Sequence, residues 1–113
     1  MLKEAKRAIP VTGDEWDEEI ARLCEAAAMD LTTRGVILPG TVAFSYTAVT
    51  DGVRVDDEST LEDALCVMAI CTFVKANLGN PPNRQWLKES YDEQKAQLMI
   101  TDGYTAFSGA VTT

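Results

Sequence analysis

The sequence predicts a mostly α-helical fold: a small bundle of three main helices plus a short N-terminal helix, with a β-hairpin or extended insertion between the first and second main helices. Three observations predict it. Apolar residues recur at three- and four-residue steps from about Asp14 to Arg34. From Ala64 to Val74 only Thr72 is polar, and a Gly79-Asn80-Pro81-Pro82 stop then separates this apolar helix from a strongly polar one with a thin hydrophobic stripe. Between them, Val42, Phe44 and Tyr46 alternate with Ala43, Ser45 and Thr47, which is the period of a strand. At 113 residues, with 46% hydrophobic and 25% charged residues, the chain fits one domain of ordinary globular composition. Residues 1–103 form that domain, with 36–57 as its insertion, and 104–113 form a C-terminal tail.

The elements follow in order. Leu2 to Ile9 predicts a short helix that Pro10 ends, because the residue before a proline is pushed out of the helical region. On the first main helix Trp16, Ile20, Leu23, Cys24, Ala27 and Leu31 share one face. Thr12 to Glu15 has the form of a capping box and Asp14 to Asp17 offers a competing cap, while Gly35 supplies a left-handed stop with apolar Val36 beyond it. Asp51-Gly52, between Val49 and Val53, has the composition of a two-residue hairpin turn with positive φ at both central positions. Such a hairpin is marginal alone and needs helices or a neighbouring subunit to lie against.

Ser59-Thr60-Leu61-Glu62 reads as a capping box opening the apolar helix. This helix has no obvious solvent face, so protein must wrap it on nearly all sides, and so short a chain has little to wrap it with. Association with neighbours is the expected remedy. Asn83 is placed to cap the last helix, whose stripe is Trp86, Leu87, Tyr91 and Leu98 among Arg84, Lys88, Glu89, Asp92, Glu93 and Lys95. After Gly103 the chain is small and polar apart from Tyr104, Phe107 and Val111, the composition of a flexible tail that orders on docking.

Composition excludes several functions. With no histidine, neither Ser-His-Asp nor Cys-His nucleophiles nor histidine-containing zinc sites can be built. The glycines form no dinucleotide-binding or phosphate-loop motif. Asp51, Asp56, Asp57 and Glu58 lack the spacing of a calcium loop and read as a turn followed by a charged helix start. No catalytic residue, cofactor or metal is therefore expected. The three cysteines, Cys24, Cys66 and Cys71, lie within helical apolar patterns without a Cys-x-x-Cys pair, and read as reduced core thiols. A net charge of −8 without a cluster of Lys and Arg argues against a protein that grips phosphate backbones. The acids gather at Asp14 to Glu19 and Asp56 to Asp63, where they complement helix N-termini. No signal sequence is visible and no apolar run approaches the roughly 18 residues of a membrane span, so a cytosolic chain without membrane contact is expected.

The run Ala69-Ile70-Cys71-Thr72-Phe73-Val74-Lys75-Ala76-Asn77-Leu78-Gly79-Asn80, followed by Trp86, Tyr91-Asp92, Leu98 and Tyr104, resembles the small head-tail connector (adaptor, head-completion) proteins of tailed phages. The acidic helix carrying Trp16, Ile20 and Leu23 also looks like that family's opening helix, whereas Val42 to Val55 is not matched to the family's pattern. The resemblance implies a non-enzymatic, mostly helical subunit that forms a homo-oligomeric ring. That ring docks beneath the portal protein, receives stopper or tail-completion proteins, and lets DNA pass through its channel without specific binding. It also implies a place at the head-tail interface of the virion, reached from the host cytoplasm during assembly. The 104–113 segment is similar to the family's docking arm for the portal.

In that reading Trp16, Ile20, Leu23, Leu65, Met68 and Phe73 form the intrasubunit core or its seam with a neighbour. Arg84, Lys88, Glu89 and Asp92 are either intersubunit ion pairs or plain solvated charge. Tyr104, Phe107 and Val111 are candidate docking anchors. Phe44 and Tyr46 either meet a partner or the channel, or pack over the helices. The competing reading from another class is a small acidic regulatory protein, such as a DNA mimic that occupies a nucleic-acid-binding enzyme through its negative surface. An enzyme working with carboxylates alone is a third, and requires a carboxyl with a strongly raised pKa.

Overall fold

A computed structural model describes residues 1–9, 13–79, 81–101 and 103–104. The chain runs α1 (Leu2–Ala8), α2 (Asp17–Thr33), β1 (Phe44–Val49), β2 (Gly52–Asp57), α3 (Ala64–Asn77) and α4 (Arg84–Ile100). Four helices and one antiparallel hairpin, inserted between α2 and α3, make up the described fold. The expected contributions of Pro10, Thr12, Asn80, Phe107 and Val111 lie outside the described residues.

The core is built around α3. Cys66, Ala69, Ile70 and Val74 are fully buried at helical spacing, and α2 meets them with Ile20, Ala21, Cys24, Ala27 and Leu31, also fully buried. α4 contributes Leu87, Tyr91 and Leu98, while α1 buries only the small Ala5 fully, with Leu2 and Ala8 half-buried against the core. All three cysteines are buried free thiols, and burial pushes Cys24 and Cys66 up to about 12, so both stay protonated and behave as small apolar groups.

α2 starts later than its acidic run implies, at Asp17, with Trp16 in the cap position and no side-chain cap. Asp14 and Asp17 are drawn elsewhere: Lys6 of α1 reaches both carboxylates, at 3.1 and 2.8 Å, which fastens α1 to the base of α2. The hydrogen bond to Asp17 is the main cause of the raised Lys6 pKa. The other end of α2 follows the sequence. Gly35 has φ +95°, Val36 N–H donates to Leu31 O at 3.0 Å and Gly35 N–H to Thr32 O at 3.1 Å. This is a Schellman stop whose apolar clasp is the buried pair Val36 and Leu31.

The expected capping box at Ser59 does not open α3. The cap is Asp63, whose Oδ1 accepts from Leu65 N–H and Cys66 N–H, both at 3.1 Å. Ser59 and Thr60 instead bind the irregular segment that precedes β1. Ser59 Oγ accepts from Ala43 N–H at 3.0 Å, Thr60 Oγ1 accepts from Thr41 N–H at 2.8 Å, and Thr41 O receives Thr60 N–H and Leu61 N–H. Gly40 permits this close approach, since a Cβ there would lie 2.7 Å from Leu61 Cα. Nor is α3 enclosed by its own chain: Leu65 is 47% and Met68 53% exposed, on one face.

Asn83 occupies the cap position of α4 without a side-chain hydrogen bond. The buried stripe of α4 is Leu87, Tyr91 and Leu98; Trp86, expected on it, is 62% exposed, because one residue step turns a helix by about 100° and Leu87 already faces inward. Tyr91 donates to Asp30 Oδ2 at 2.6 Å, Lys95 reaches the same oxygen at 3.0 Å, and the Phe73 ring meets Tyr91 edge-on with centroids 5.2 Å apart. Burial pushes the Asp30 carboxyl up, but the bonds from Tyr91 and Lys95 outweigh it and hold the pKa below its ordinary value.

β1 and β2 pair from Phe44↔Asp57 to Val49↔Gly52, which leaves Thr50 and Asp51 as the loop. The expected positive φ at both central turn positions is absent, since no non-glycine residue among those described has positive φ; Gly52, at φ +145°, closes the loop one position later. The hairpin lies on α2, where Tyr46 donates to Glu25 and Arg22 stacks over the Tyr46 ring at 4.2 Å.

Three predictions follow from these contacts. Asp63→Ala is expected to cost about 1 kcal/mol through loss of the α3 cap, measured by urea denaturation, and Thr60→Ala to leave α3 helicity unchanged in far-ultraviolet circular dichroism. Gly40 and Gly52 both have positive φ, yet only Gly40 meets backbone, so Gly40→Ala is expected to cost about 1 to 3 kcal/mol more than Gly52→Ala in the same measurement. Asp57 gains from folding at neutral pH: burial raises its pKa, but bonds from the Met1 ammonium, Leu2 N–H and Ser59 bring it down to about 2 from 3.8. Its stabilisation is therefore complete above about pH 4 and lost as pH falls toward 2, and Asp57→Asn flattens that part of the stability-pH curve.

Candidate assembly surface

The surface carries more large apolar side chains than the core needs, in three places. Between α1 and α3 an open groove of about 930 Å³ has Ala64, Val67, Met68 and Cys71 along one side and Lys3 and Arg7 along the other. Leu65 stands beside Met68 on the same exposed face of α3. A second groove, of about 760 Å³, runs between the last turns of α2 and residues 35–42, with exposed Met29 and Ile37 at its edges. The third place is the outer face of α4. There Trp86, Glu89, Glu93, Gln97 and Ile100 recur at three- and four-residue steps and are all exposed, with Trp86 at 62% and Ile100 at 76%.

The predicted residues divide among these regions. Ile20 is fully buried, and Leu23 and Phe73 are half-buried against the core. Trp16, Leu65 and Met68 face outward. Arg84, Lys88, Glu89 and Asp92 are all exposed on α4; Lys88 and Asp92 flank a cleft of about 360 Å³ that also includes Asp30, Phe73 and Tyr91. Phe44 is buried and Tyr46 is bonded to Glu25, so the hairpin aromatics are taken up within the subunit, where α2 offers them an apolar face and a carboxylate. Tyr104 is anchored as well. Its hydroxyl donates to Asp63 Oδ2 at 2.7 Å, its carbonyl accepts from Ile37 N–H at 2.6 Å, and the Asp63 bond pushes its pKa up to about 12.

Met29, Ile37, Trp86 and Ile100 were not marked as surface residues by the sequence patterns. Met29 lies off the apolar face defined by Ile20, Cys24, Ala27 and Leu31, and that offset was the available signal. For Trp86 the signal was its adjacency to Leu87, since two neighbouring helical residues cannot share a narrow stripe.

The titratable groups are used for fastening. The carboxyls of Asp30, Asp57 and Asp63 all titrate below their ordinary value, the opposite of what a general acid needs. Each is held ionised by donors from another part of the chain: Tyr91 and Lys95, the first residues of α1, and Tyr104. Among the described residues no group of three or more acidic or cysteine side chains is placed to hold a metal, and no helix is long and apolar enough to cross a membrane.

An arrangement of this kind, with apolar surface in separate places and charges spent on tying elements together, suits a subunit that binds other proteins. No curated protein and no solved structure matches the chain. The family model described as phage connector protein does match, over residues 1–105, and the chain belongs to that family.

Proposed function

We propose that this chain is a structural head-tail adaptor of a tailed phage. Copies of it close into a ring beneath the portal protein, lengthen the channel through which DNA passes, and receive stopper or tail-completion proteins on the opposite face. The observation that carries this reading, beyond family membership, is the exposed Leu65 and Met68 face of α3, the helix at the centre of the core. Covering such side chains recovers about 25 cal/mol per Å² of apolar surface, and head-to-tail contacts that close on themselves supply the cover to every copy alike.

In this role Ile20, Leu23 and Phe73 hold the subunit together, while Trp16, Leu65 and Met68 belong to the seams. Arg84, Lys88, Glu89 and Asp92 contribute rim charges that set orientation more than affinity. Tyr104 fixes the point from which the tail with Phe107 and Val111 reaches the portal. The net charge of −8 favours a channel wall that repels phosphates, so that the genome moves without sticking. The role is structural and places the protein at the head-tail interface of the virion.

Sedimentation velocity and negative-stain microscopy of the purified chain, alone and mixed with the portal protein of the same phage, are expected to reveal rings or portal-bound collars. Leu65→Asp and Met68→Asp are expected to cost the subunit only about 1 to 2 kcal/mol each, because both side chains are about half exposed, and yet to abolish the rings. A salt-sensitive complex with a nuclease, with no ring under any condition, would instead identify an acidic DNA mimic.

A further inference from the structure

Resting on the adaptor reading, we infer that the seam between neighbouring copies is made by the outer stripe of α4 on one copy, led by Trp86, lying in the α1–α3 groove of the next. The two surfaces differ in chemistry and match each other. The groove offers apolar Met68, Val67 and Cys71 beside two cations, Lys3 and Arg7, four residues apart on α1. The stripe offers an exposed indole and two acids, Glu89 and Glu93, also four residues apart. Residues at that spacing stand about 5 to 6 Å apart on one face of a helix, so both acids can meet both cations when the helices lie alongside one another.

These charges have little to satisfy them within the subunit. Glu89 receives one hydrogen bond of 3.2 Å from Gln85, and Arg7 reaches only Glu4, at 3.3 Å, on its own helix. Among the described residues Lys3 and Glu93 have no ion-pair partner. Three acids also line the groove: Glu4 is engaged by Arg7 and Asp57 by the Met1 ammonium, which leaves Glu62 as the one that opposes the match. Within one chain the stripe cannot fill the groove, because α1 and α4 pack separately on α3. The groove, at about 930 Å³, has room for an indole, and tryptophan is one of the residues enriched among interface anchors when it is desolvated in a pocket.

Charge reversal with rescue tests the pairing. Glu89→Lys with Glu93→Lys, and separately Lys3→Glu with Arg7→Glu, are each expected to weaken ring formation on the order of a hundredfold, since like charges then face each other across the seam. The chain carrying all four substitutions is expected to recover assembly to within about tenfold of the unmodified protein, which a loss of folding would not allow. As a second measurement, chains with Trp86→Cys and chains with Met68→Cys, both also carrying Cys71→Ala because that thiol lines the groove, are mixed under mild oxidation, and a disulfide joining the two variants is expected, Cys24 and Cys66 being fully buried. Rings that form equally well with either reversed pair, or a fourfold variant with native circular dichroism that does not recover, overturn this seam and leave the adaptor reading standing. An unmodified chain that forms no ring either alone or with its portal overturns both.

Discussion

The structure depends on how α3 is covered. A helix whose residues from Ala64 to Val74 include one polar side chain needs apolar neighbours around most of its circumference, and the chain supplies three. α2 and α4 bring large side chains, Leu31 and Ile20 from one and Leu87, Tyr91 and Leu98 from the other. The third, α1, is seven residues long and brings one fully buried side chain, Ala5, with Leu2 and Ala8 half-buried beside it. That asymmetry sets the surface. Where α2 and α4 pack, Cys66, Ile70 and Val74 are sealed from water; where only α1 stands, Met68 and Leu65 are left open beside a groove. A longer or bulkier first helix would cover that open face from within the subunit.

Polar contacts arrange the elements around this core, and the few that matter join parts of the chain far apart in sequence. Asp30 ties α2 to α4 through Tyr91 and Lys95, Asp63 caps α3 and holds Tyr104, and Asp57 brings the end of β2 to the start of α1. Each is a carboxylate with two or three donors, an arrangement in which ionisation is favoured and the hydrogen bonds are stronger than those between neutral groups. The exposed pairs within one element, Arg7 with Glu4, Arg22 with Glu18 and Arg54 with Asp56, add little to stability. Much of the remaining acidic surface has no internal task, which leaves it free to act on what lies outside the subunit.

The helices were legible because their signals are local. The stop of α2 at Gly35 and Val36 was fixed by a Schellman pattern, and the hairpin by alternation. What could not be read depends on competition between distant partners. Ser59 and Asp63 are both good caps, and which one serves α3 was decided by Ala43, which claims the Ser59 hydroxyl. Asp14 was a plausible cap until Lys6 claimed it. Of the candidate surface residues, Leu65 and Met68 follow from the excess apolarity of α3, whereas Phe44 and Tyr46 could be placed against α2 only once the hairpin's direction was known. The outward face of α4 is hidden in the sequence because Trp86 adjoins Leu87, and only one of two neighbouring helical residues can face the core.

The chemistry of the exposed faces also bears on the symmetry of any assembly. A twofold contact brings a surface against its own copy, and neither face is suited to that: two α4 stripes would set Glu89 and Glu93 against Glu89 and Glu93, and two α1 helices would set Lys3 and Arg7 against their like. Contacts between unlike faces avoid both repulsions, and they repeat. A repeat of that kind either closes into a ring or continues as a filament, according to the rotation from one copy to the next. The groove is walled by α1 and α3 and the outer stripe lies on α4, so both surfaces are carried by α3 or by helices packed on it. In the adaptor reading, the apolar helix that leaves Leu65 and Met68 open is also the one that carries the faces its copies would present to one another.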